Sequence, residues 1–303
     1  MIEEFTKNEI NKISYELLKG SKSLGVYPTP VENILQYSDF VLDNNIDLLN
    51  VEHSFLENLK DKSIKTLHSG LSKIKGIFDR GEKTIYIDAS LEKNLGKKNF
   101  VQLHEIGHGV LSWQNDIMLC LDNDQTLSTE TQNQFEEEAN YFASSTLFQQ
   151  DRFNFEAEKL KLGLSSVMAL KHKFGASVHS TFRNYVLNSN NRCALLVLTP
   201  LPKNKGNKAL CETRNLFYSK PFLKEIGKLK LPNKFGFKWE FIRDYKFKRR
   251  FNEKGEITFT SIDGEILDCN YHYFNNTYNS FVFIFPKGEK NKARTKVILQ
   301  NVN

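Results

Sequence analysis

Residues 100–113 read FVQLHEIGHGVLSW, an apolar stretch that carries two histidines four positions apart, His104 and His108. On an α-helix, positions i and i+4 share one face, so both imidazoles can point at the same metal ion. Glu105 lies at the rim of that face, where it can act as general base on a metal-activated water. The stretch therefore predicts a helix over residues 98–113 with a zinc site, because zinc takes neutral imidazole and carboxylate ligands.

Two histidines leave this site incomplete, because a catalytic zinc takes three protein ligands and keeps one position open. The stretch FEEEANYFASSTLF, residues 135–148, predicts a second helix with three consecutive glutamates near its start. Its apolar face is formed by Phe135, Ala139, Phe142, Ala143 and Thr146. Helical spacing places Glu136 at the edge of that inward face and Glu138 on its Phe135 and Phe142 side, while Glu137 points about 100° away. Glu136 is the favoured third ligand and Glu138 the alternative.

Small residues at positions 139 and 143 of the second helix, Ala139 and Ala143, predict that the two helices approach closely. Gly107 and Gly109 are each up to about 1 kcal/mol worse than alanine in a helix, so their presence indicates tight packing. Asn140, four residues after Glu136, can orient a ligand histidine. A purely structural zinc would be closed by four Cys or His ligands, and the sequence places none to do so.

Other patterns organise the chain around these helices. Helices are predicted over residues 7–20 and 29–43, and the second metal-site helix is expected to break at 151–154. A β-hairpin joins SKIKGIFDR to KTIYIDAS through Arg80-Gly81-Glu82. The segment SSVMALKHKFGASVHSTFRNYVL predicts a helix–turn–helix around Gly175-Ala176-Ser177.

The charge is distributed unevenly along the chain, whose net charge is +6. Residues 200–303 hold 21 Lys and Arg against 10 Asp and Glu, whereas residues 1–199 hold 21 against 26. This asymmetry predicts a domain boundary close to residue 200 and an anionic partner for the basic part. Beyond RCALLVLTP, itself a predicted buried strand, further strands are predicted over KFGFKWEFI, KFKRRFN, EITFTSI, EILDCNYHYF and NSFVFIFP.

These motifs together resemble the ImmA/IrrE family of metallopeptidases. The resemblance rests on QLHEIGHGVL followed by EEEANYFASSTLF, supported by GVYPTPVENILQYS, GEKTIYIDAS and KFGASVHSTFRNYV, and it covers about residues 10–190. It implies zinc on His104, His108 and Glu136, the Glu of an ExxAN element, with Glu105 catalytic. It also implies that the substrate is a helix–turn–helix repressor, whose cleavage relieves transcription of mobile-element or stress-response genes.

The chain departs from the family pattern at two places. Residues 146–150, TLFQQ, stand where family chains often carry Leu-Met-Pro, and Ser112-Trp113-Gln114 replaces a usual histidine after the motif helix. Neither departure removes a ligand, but both change residues around the cleft.

The predicted fold class is α+β. A zincin-like helical metallopeptidase core with a small β-sheet is expected over residues 1–195, and a basic, mainly β accessory domain with a sensory or docking role over residues 196–303. The predicted function is zinc-dependent endopeptidase action on a regulatory protein. The alternative is a nucleic-acid-associated regulator or toxin–antitoxin component whose metal site is mainly structural.

Several residues outside the motifs offer weaker hypotheses. The basic run KFKRRF, residues 246–251, with its interleaved aromatics suits a nucleic acid or another anionic partner, although a solvated strand face with its aromatics buried explains it more simply. Lys171 and Arg183 would suit phosphate contacts if the helix–turn–helix read DNA. His172, His179 or Tyr141 could stabilise an oxyanion.

Composition sets the expected surroundings. The four cysteines, Cys120, Cys193, Cys211 and Cys269, are far apart and are interpreted as buried apolar residues in a reducing, cytoplasmic setting. No apolar run approaches the roughly 18 residues of a membrane helix, and the N-terminus lacks the apolar region of a secretory signal. No membrane partner is expected.

Overall fold

The computed structural model describes residues 2–48, 75–114, 128–200, 210–246 and 250–290. Packing divides them into two compact units. The first unit comprises the described residues up to Phe153 together with Lys171–Ser177, and the second comprises Asn154–Leu170 with the described residues from Val178 onward. The division into domains at residue 195 stays a prediction. The mixed α and β class, with a mainly β C-terminal part, is confirmed.

Helices dominate the first unit. They are α1 (Glu4–Gly20), α2 (Val31–Tyr37), a 3-10 helix (Ala89–Lys93), α3 (Leu95–Val110) and α4 (Thr129–Leu147). Helix α3 contains the histidine motif and begins where the Asn94 side chain accepts a hydrogen bond from the Lys97 amide. It starts three residues before the predicted position and ends at Val110 rather than at residue 113.

A three-stranded sheet accompanies these helices, in the order β1 (Val41–Ile46), β3 (Thr84–Asp88), β2 (Gly76–Asp79). Strands β2 and β3 form the predicted antiparallel hairpin, whereas β1 runs parallel to β3. The helix predicted over residues 29–43 is wrong in its second half. It ends at Tyr37 because Asp39 adopts a left-handed φ of 57°, and the chain then enters β1.

Close packing between α3 and α4 is confirmed at Gly107. A Cβ atom there would lie 3.0 Å from Cδ1 of Phe142 and 3.4 Å from Cα of Ala139. Phe142 and Ala139 are both fully buried, so the inward face of α4 matches the one predicted from its spacing. A Cβ atom at Gly109 would instead lie 2.5 Å from Cζ of Phe40.

Helix α4 begins at the capping residue Ser128 and ends before two consecutive residues of left-handed φ, Gln149 (51°) and Gln150 (55°). The buried amide of Gln149 accepts a hydrogen bond from Gly25 N and donates to Val26 O. Gln149 thus ties the end of α4 to the loop before α2, at the place where family chains often carry Leu-Met-Pro. The predicted break at 151–154 is wrong, because α5 (Asp151–Glu158) starts there.

The predicted helix–turn–helix is confirmed as α6 (Leu164–Phe174) and α7 (Val178–Leu187), with Gly175 at a φ of 67° in the turn. Helix α7 belongs to the second unit, where Phe182 stacks on Phe281 at 5.6 Å between ring centroids.

The second unit contains a six-stranded antiparallel sheet, in the order β6-β5-β4-β9-β8-β7. Its strands are β4 (Ala194–Leu198), β5 (Cys211–Tyr218), β6 (Lys234–Phe235), β7 (Phe251–Thr260), β8 (Ile266–Asn275) and β9 (Ser280–Pro286). The central strands β4 and β9 are buried along their whole length. Helix α7 covers one face through Phe182, whereas Phe222 and Phe241 pack into the core on the opposite face.

Two helices interrupt the predicted run of C-terminal strands, α8 (Lys220–Glu225) and α9 (Glu240–Lys246). The single strand predicted over KFGFKWEFI is wrong, because only its first two residues pair, as β6. A turn closed by the Trp239 amide on Gly236 O then leads into α9, which places Phe241 in the core. Strand β5 was not predicted, since half of its residues are polar and lie in one consecutive run, residues 212–215.

The expectation of buried cysteines is confirmed for Cys193, Cys211 and Cys269, all of which are free thiols. Burial raises the pKa of each to about 12, so they are inert at neutral pH. Cys120 lies outside the described residues. In the described part of the chain, none of the helices has the length and apolar character needed to cross a membrane.

Candidate metal centre

Three side chains from α3 and α4 converge on one point in the first unit. His108 Nε2 lies 3.1 Å from His104 Nε2. Glu136 Oε2 lies 3.3 Å from His104 Nε2, and Glu136 Oε1 lies 3.5 Å from His108 Nε2. Among the described residues, these form the one group of three or more His, Cys, Asp or Glu with ligand atoms close enough to share an ion. Glu136 therefore stands where the spacing of α4 predicts.

Burial differs among the three members of this triad. The side chains of His104 and His108 are each 14% exposed, whereas that of Glu136 is 56% exposed. Burial alone would raise the pKa of Glu136, but its hydrogen bonds to His104 and His108 hold that pKa well below its ordinary value. The carboxylate is thus available as a charged ligand at the open side of the site.

Asn140 supports His104 from the next turn of α4. Its Nδ2 donates to the main-chain oxygen of Glu136 at 2.7 Å, and its side chain hydrogen bonds to His104. Burial alone would lower the pKa of His104. The hydrogen bond to Glu136 and the negative charge of Glu105 act in the opposite direction, as do the charge of Glu136 and the hydrogen bond to Asn140, so the pKa is raised overall. Asn140 therefore contacts His104, a candidate ligand, and its role in orienting that histidine stays a prediction.

Glu105 is 6% exposed and lies beside strand β2. A Cβ atom at Gly76 would lie 2.6 Å from Glu105 Oε1, so only glycine fits there without displacing the carboxyl group. Burial raises the pKa of Glu105, while the neighbouring histidines His104 and His108 oppose that shift. Gly76 was not singled out from the sequence, because a glycine at a strand end carries no signal by itself.

Glu138, the alternative third ligand, takes a different place. It is fully buried, and its Oε2 accepts hydrogen bonds from Trp113 Nε1 at 2.8 Å and Gln114 Nε2 at 2.9 Å. Its Oε1 accepts from Gln134 Nε2 at 2.9 Å. Its carboxylate is not part of the converging triad.

Gln114 was noted in the sequence only as a departure from the family, yet it contacts the site directly. Its Oε1 lies 2.9 Å from His108 Nδ1, and its side chain is fully buried. The available signal was its position, because it stands just after the motif helix where a histidine is usual.

The other candidate residues lie in varied surroundings. His172 is exposed. His179 packs against Phe217 and Phe281 of the second unit, at ring-centroid distances of 6.2 and 6.1 Å, and burial lowers its pKa. The hydroxyl of Tyr141 accepts a hydrogen bond from Asn11 of α1 at 3.1 Å. An oxyanion role for any of these histidines or for Tyr141 stays a prediction.

The nucleic-acid hypotheses are untested by the geometry. Residues 247–249, the centre of the basic run, lie outside the described residues, and the neighbouring Arg250 is exposed. Arg183 of α7 lies over the ring of Phe217, with 5.9 Å between its Cζ and the centroid. Lys171 is half-buried.

Comparison with known proteins places this site in a family. The model of Peptidase_M78, the IrrE N-terminal-like domain, matches residues 60–181, a range that contains the whole converging triad and Glu105. No curated protein matches the chain. A solved structure described as a Mycobacterium tuberculosis transcriptional regulator has a similar fold, with a TM-score of 0.51 and 13% sequence identity over 91% of this chain and 75% of that chain. The resemblance seen in the sequence is therefore confirmed by a family match: residues 60–181 match the model of the IrrE N-terminal-like domain of the ImmA/IrrE family.

Proposed function

We propose that this protein is a zinc-dependent endopeptidase with a zincin-like core. The observation that carries the proposal is the convergence of His104, His108 and Glu136. Their two Nε2 atoms lie 3.1 Å apart, and the two carboxylate oxygens of Glu136 lie 3.3 Å from His104 Nε2 and 3.5 Å from His108 Nε2. In a tetrahedral site, zinc bonds of about 2.0–2.1 Å separate neighbouring ligand atoms by about 3.3 Å. The observed distances are close to that value, so this triad of side chains from two different helices suits a tetrahedral zinc.

The donor set also fits catalytic use better than structural use. Within the described residues, two imidazoles and one carboxylate converge, which leaves one position of a tetrahedron open. A structural site would need a fourth protein ligand. When bound, zinc would supply Lewis acidity to a peptide carbonyl and to water. The alternative, a nucleic-acid-associated regulator with a structural metal, has less support from this donor set.

Glu105 is the general base of the proposed reaction. Burial raises the pKa of Glu105 above its ordinary value, and a buried carboxylate beside the triad is placed to accept and then release a proton. It would take the proton of the attacking water and pass it to the leaving amine. Gly76 keeps the neighbouring strand close enough to hold this carboxyl group beside the triad.

Strand β2 is the proposed binding edge for the substrate backbone. It is an edge strand of the described three-stranded sheet, and it runs past Glu105 at Gly76. An edge strand offers unpaired N–H and C=O groups to an extended peptide, which adds to the sheet as a further strand.

The proposed substrate is a helix–turn–helix transcriptional repressor, and the proposed setting is the cytoplasm. The resemblance to the ImmA/IrrE family and the cysteine pattern support these two points. Nucleic acid or another anionic partner at the basic C-terminal part stays a secondary proposal.

The test of the function is Glu105→Gln. Co-expression with a candidate helix–turn–helix repressor should give cleavage by the wild-type protein, and no cleavage by Glu105→Gln. Metal analysis should find about one zinc per chain in both proteins, because Glu105 is not a ligand. Normal cleavage by Glu105→Gln would refute the general-base role. Absence of zinc from the purified wild-type protein would refute the metal site itself.

A further inference from the structure

A chain of hydrogen bonds connects buried Glu138 to the ligand histidine His108. Glu138 Oε2 accepts from Gln114 Nε2 at 2.9 Å, and Gln114 Oε1 lies 2.9 Å from His108 Nδ1. Glu138 and Gln114 are both fully buried. We propose that Glu138 and Gln114 act as positioning residues that hold His108 in the tautomer required for metal binding. This inference rests on the proposed function, because it assigns a role around the same metal site.

The orientation of the Gln114 amide follows from its neighbours. Its nitrogen faces two groups that accept hydrogen bonds, Glu138 Oε2 at 2.9 Å and the main-chain oxygen of Phe135 at 3.3 Å. A flipped amide would bring its oxygen against both acceptors, with no hydrogen between them. The oxygen of Gln114 must therefore face His108.

The tautomer of His108 follows from that orientation. An amide oxygen can only accept, so His108 Nδ1 must carry the hydrogen in this contact. In the neutral ring, Nε2 then keeps its lone pair, and Nε2 is the atom that faces His104 and Glu136. Glu138 thus selects the metal-binding form of the ring through two successive hydrogen bonds.

Two further donors contact Glu138, and they reach different oxygens. Trp113 Nε1 bonds at 2.8 Å to Oε2, the same oxygen that accepts from Gln114, and so holds it in place for the Gln114 amide. Exposed Gln134 bonds only to the other oxygen, Oε1, at 2.9 Å, and is not a link between Glu138 and His108. Two of the consecutive glutamates on α4 therefore have different roles: Glu136 faces the histidines directly, whereas Glu138 acts on His108 through Gln114.

The experiment compares apolar and conservative replacements of similar size. Glu138→Met and Gln114→Met each remove a link of the chain, whereas Glu138→Gln keeps an oxygen that can accept from Gln114. Gln134→Met is the matched control, because exposed Gln134 contacts Glu138 without contacting Gln114. Zinc affinity is measured by chelator competition, and ¹⁵N shifts of the His108 ring are measured in metal-free protein at alkaline pH, where imidazole is neutral.

We expect wild-type His108 to be the Nδ1–H tautomer without metal. The Glu138→Met and Gln114→Met variants should populate the Nε2–H form and bind zinc about 10–100-fold more weakly, the usual effect of losing such a supporting contact. Glu138→Gln and Gln134→Met should keep the wild-type tautomer and affinity. A merely structural role would lower the thermal stability of the methionine variants without altering the His108 tautomer.

The outcomes separate this proposal from the proposed function. A wild-type protein that binds no zinc contradicts the function, whereas wild-type zinc binding with unchanged tautomer and affinity in both methionine variants overturns only the positioning role. Should Glu138→Met fail to fold, Gln114→Met decides, because it leaves the Trp113–Glu138 bond intact. An Nε2–H tautomer in the metal-free wild type would overturn the proposal without any variant.

Discussion

Alanine substitutions at adjacent glutamates of α4 can test which of them binds the metal. Glu136 contributes one of three converging ligand atoms. Exposed Glu137 lies outside that group. Four-ligand structural zinc sites bind with an apparent free energy of about 10–16 kcal/mol, or about 3 kcal/mol per ligand. Glu136→Ala should therefore weaken zinc binding by at least about 100-fold, since each 1.4 kcal/mol corresponds to a factor of ten.

The control for charge is Glu137→Ala, which removes the same negative charge one residue away and should leave zinc affinity unchanged. Stability without metal provides a second control. The contacts of Glu136 with His104 and His108 are ion pairs on a side chain that is 56% exposed, and such pairs contribute at most about 1 kcal/mol. Loss of these two pairs in metal-free Glu136→Ala should therefore lower the free energy of unfolding in urea by no more than about 2 kcal/mol.

The assay is competition with a chromogenic zinc chelator on metal-free protein that has been reloaded with zinc. The reasoning fails if Glu136→Ala binds zinc as tightly as the wild-type protein does. It also fails if Glu137→Ala loses as much affinity as Glu136→Ala, because a general charge effect would then account for both.

Two further predictions concern the packing around the site. Gly107→Val should destabilise the protein by about 1–3 kcal/mol in urea unfolding, because its Cβ would lie 3.0 Å from buried Phe142; unchanged stability would contradict the close α3–α4 contact. Asp88 is 2% exposed and is paired with Lys75 at 3.1 Å. Although burial would raise the pKa of Asp88, its hydrogen bonds hold that pKa below its ordinary value. Its contribution to stability should therefore be full at neutral pH and be lost as pH falls below about 4, so wild type and Asp88→Asn should converge in acid. A stability difference between them that is the same at all pH values would contradict this assignment.

The local sequence was sufficient to predict the elements whose apolar residues recur with a clear helical or strand period. Helix α3 with its two histidines, the β2–β3 hairpin and the α6–α7 pair all appear where their patterns predict. The spacing of α4 also favoured Glu136 over Glu138, because a helix determines which residues share a face. Segments of mixed polarity were predicted poorly. Strand β5 was missed, and the aromatic segment that forms β6 and α9 was predicted as one strand.

The sequence by itself identified the candidate ligands, the candidate general base and the helices that carry them, since these depend on spacing within single elements. Only the tertiary structure decided how α3 meets α4, and therefore that the two histidine Nε2 atoms and the carboxylate of Glu136 converge, with contacts of 3.1–3.5 Å. It also placed Glu138, which the sequence left as a rival ligand, outside that triad. The physical reason is that contacts between separate elements depend on packing and burial. No local pattern predicts that the side chain of Gln114 contacts His108.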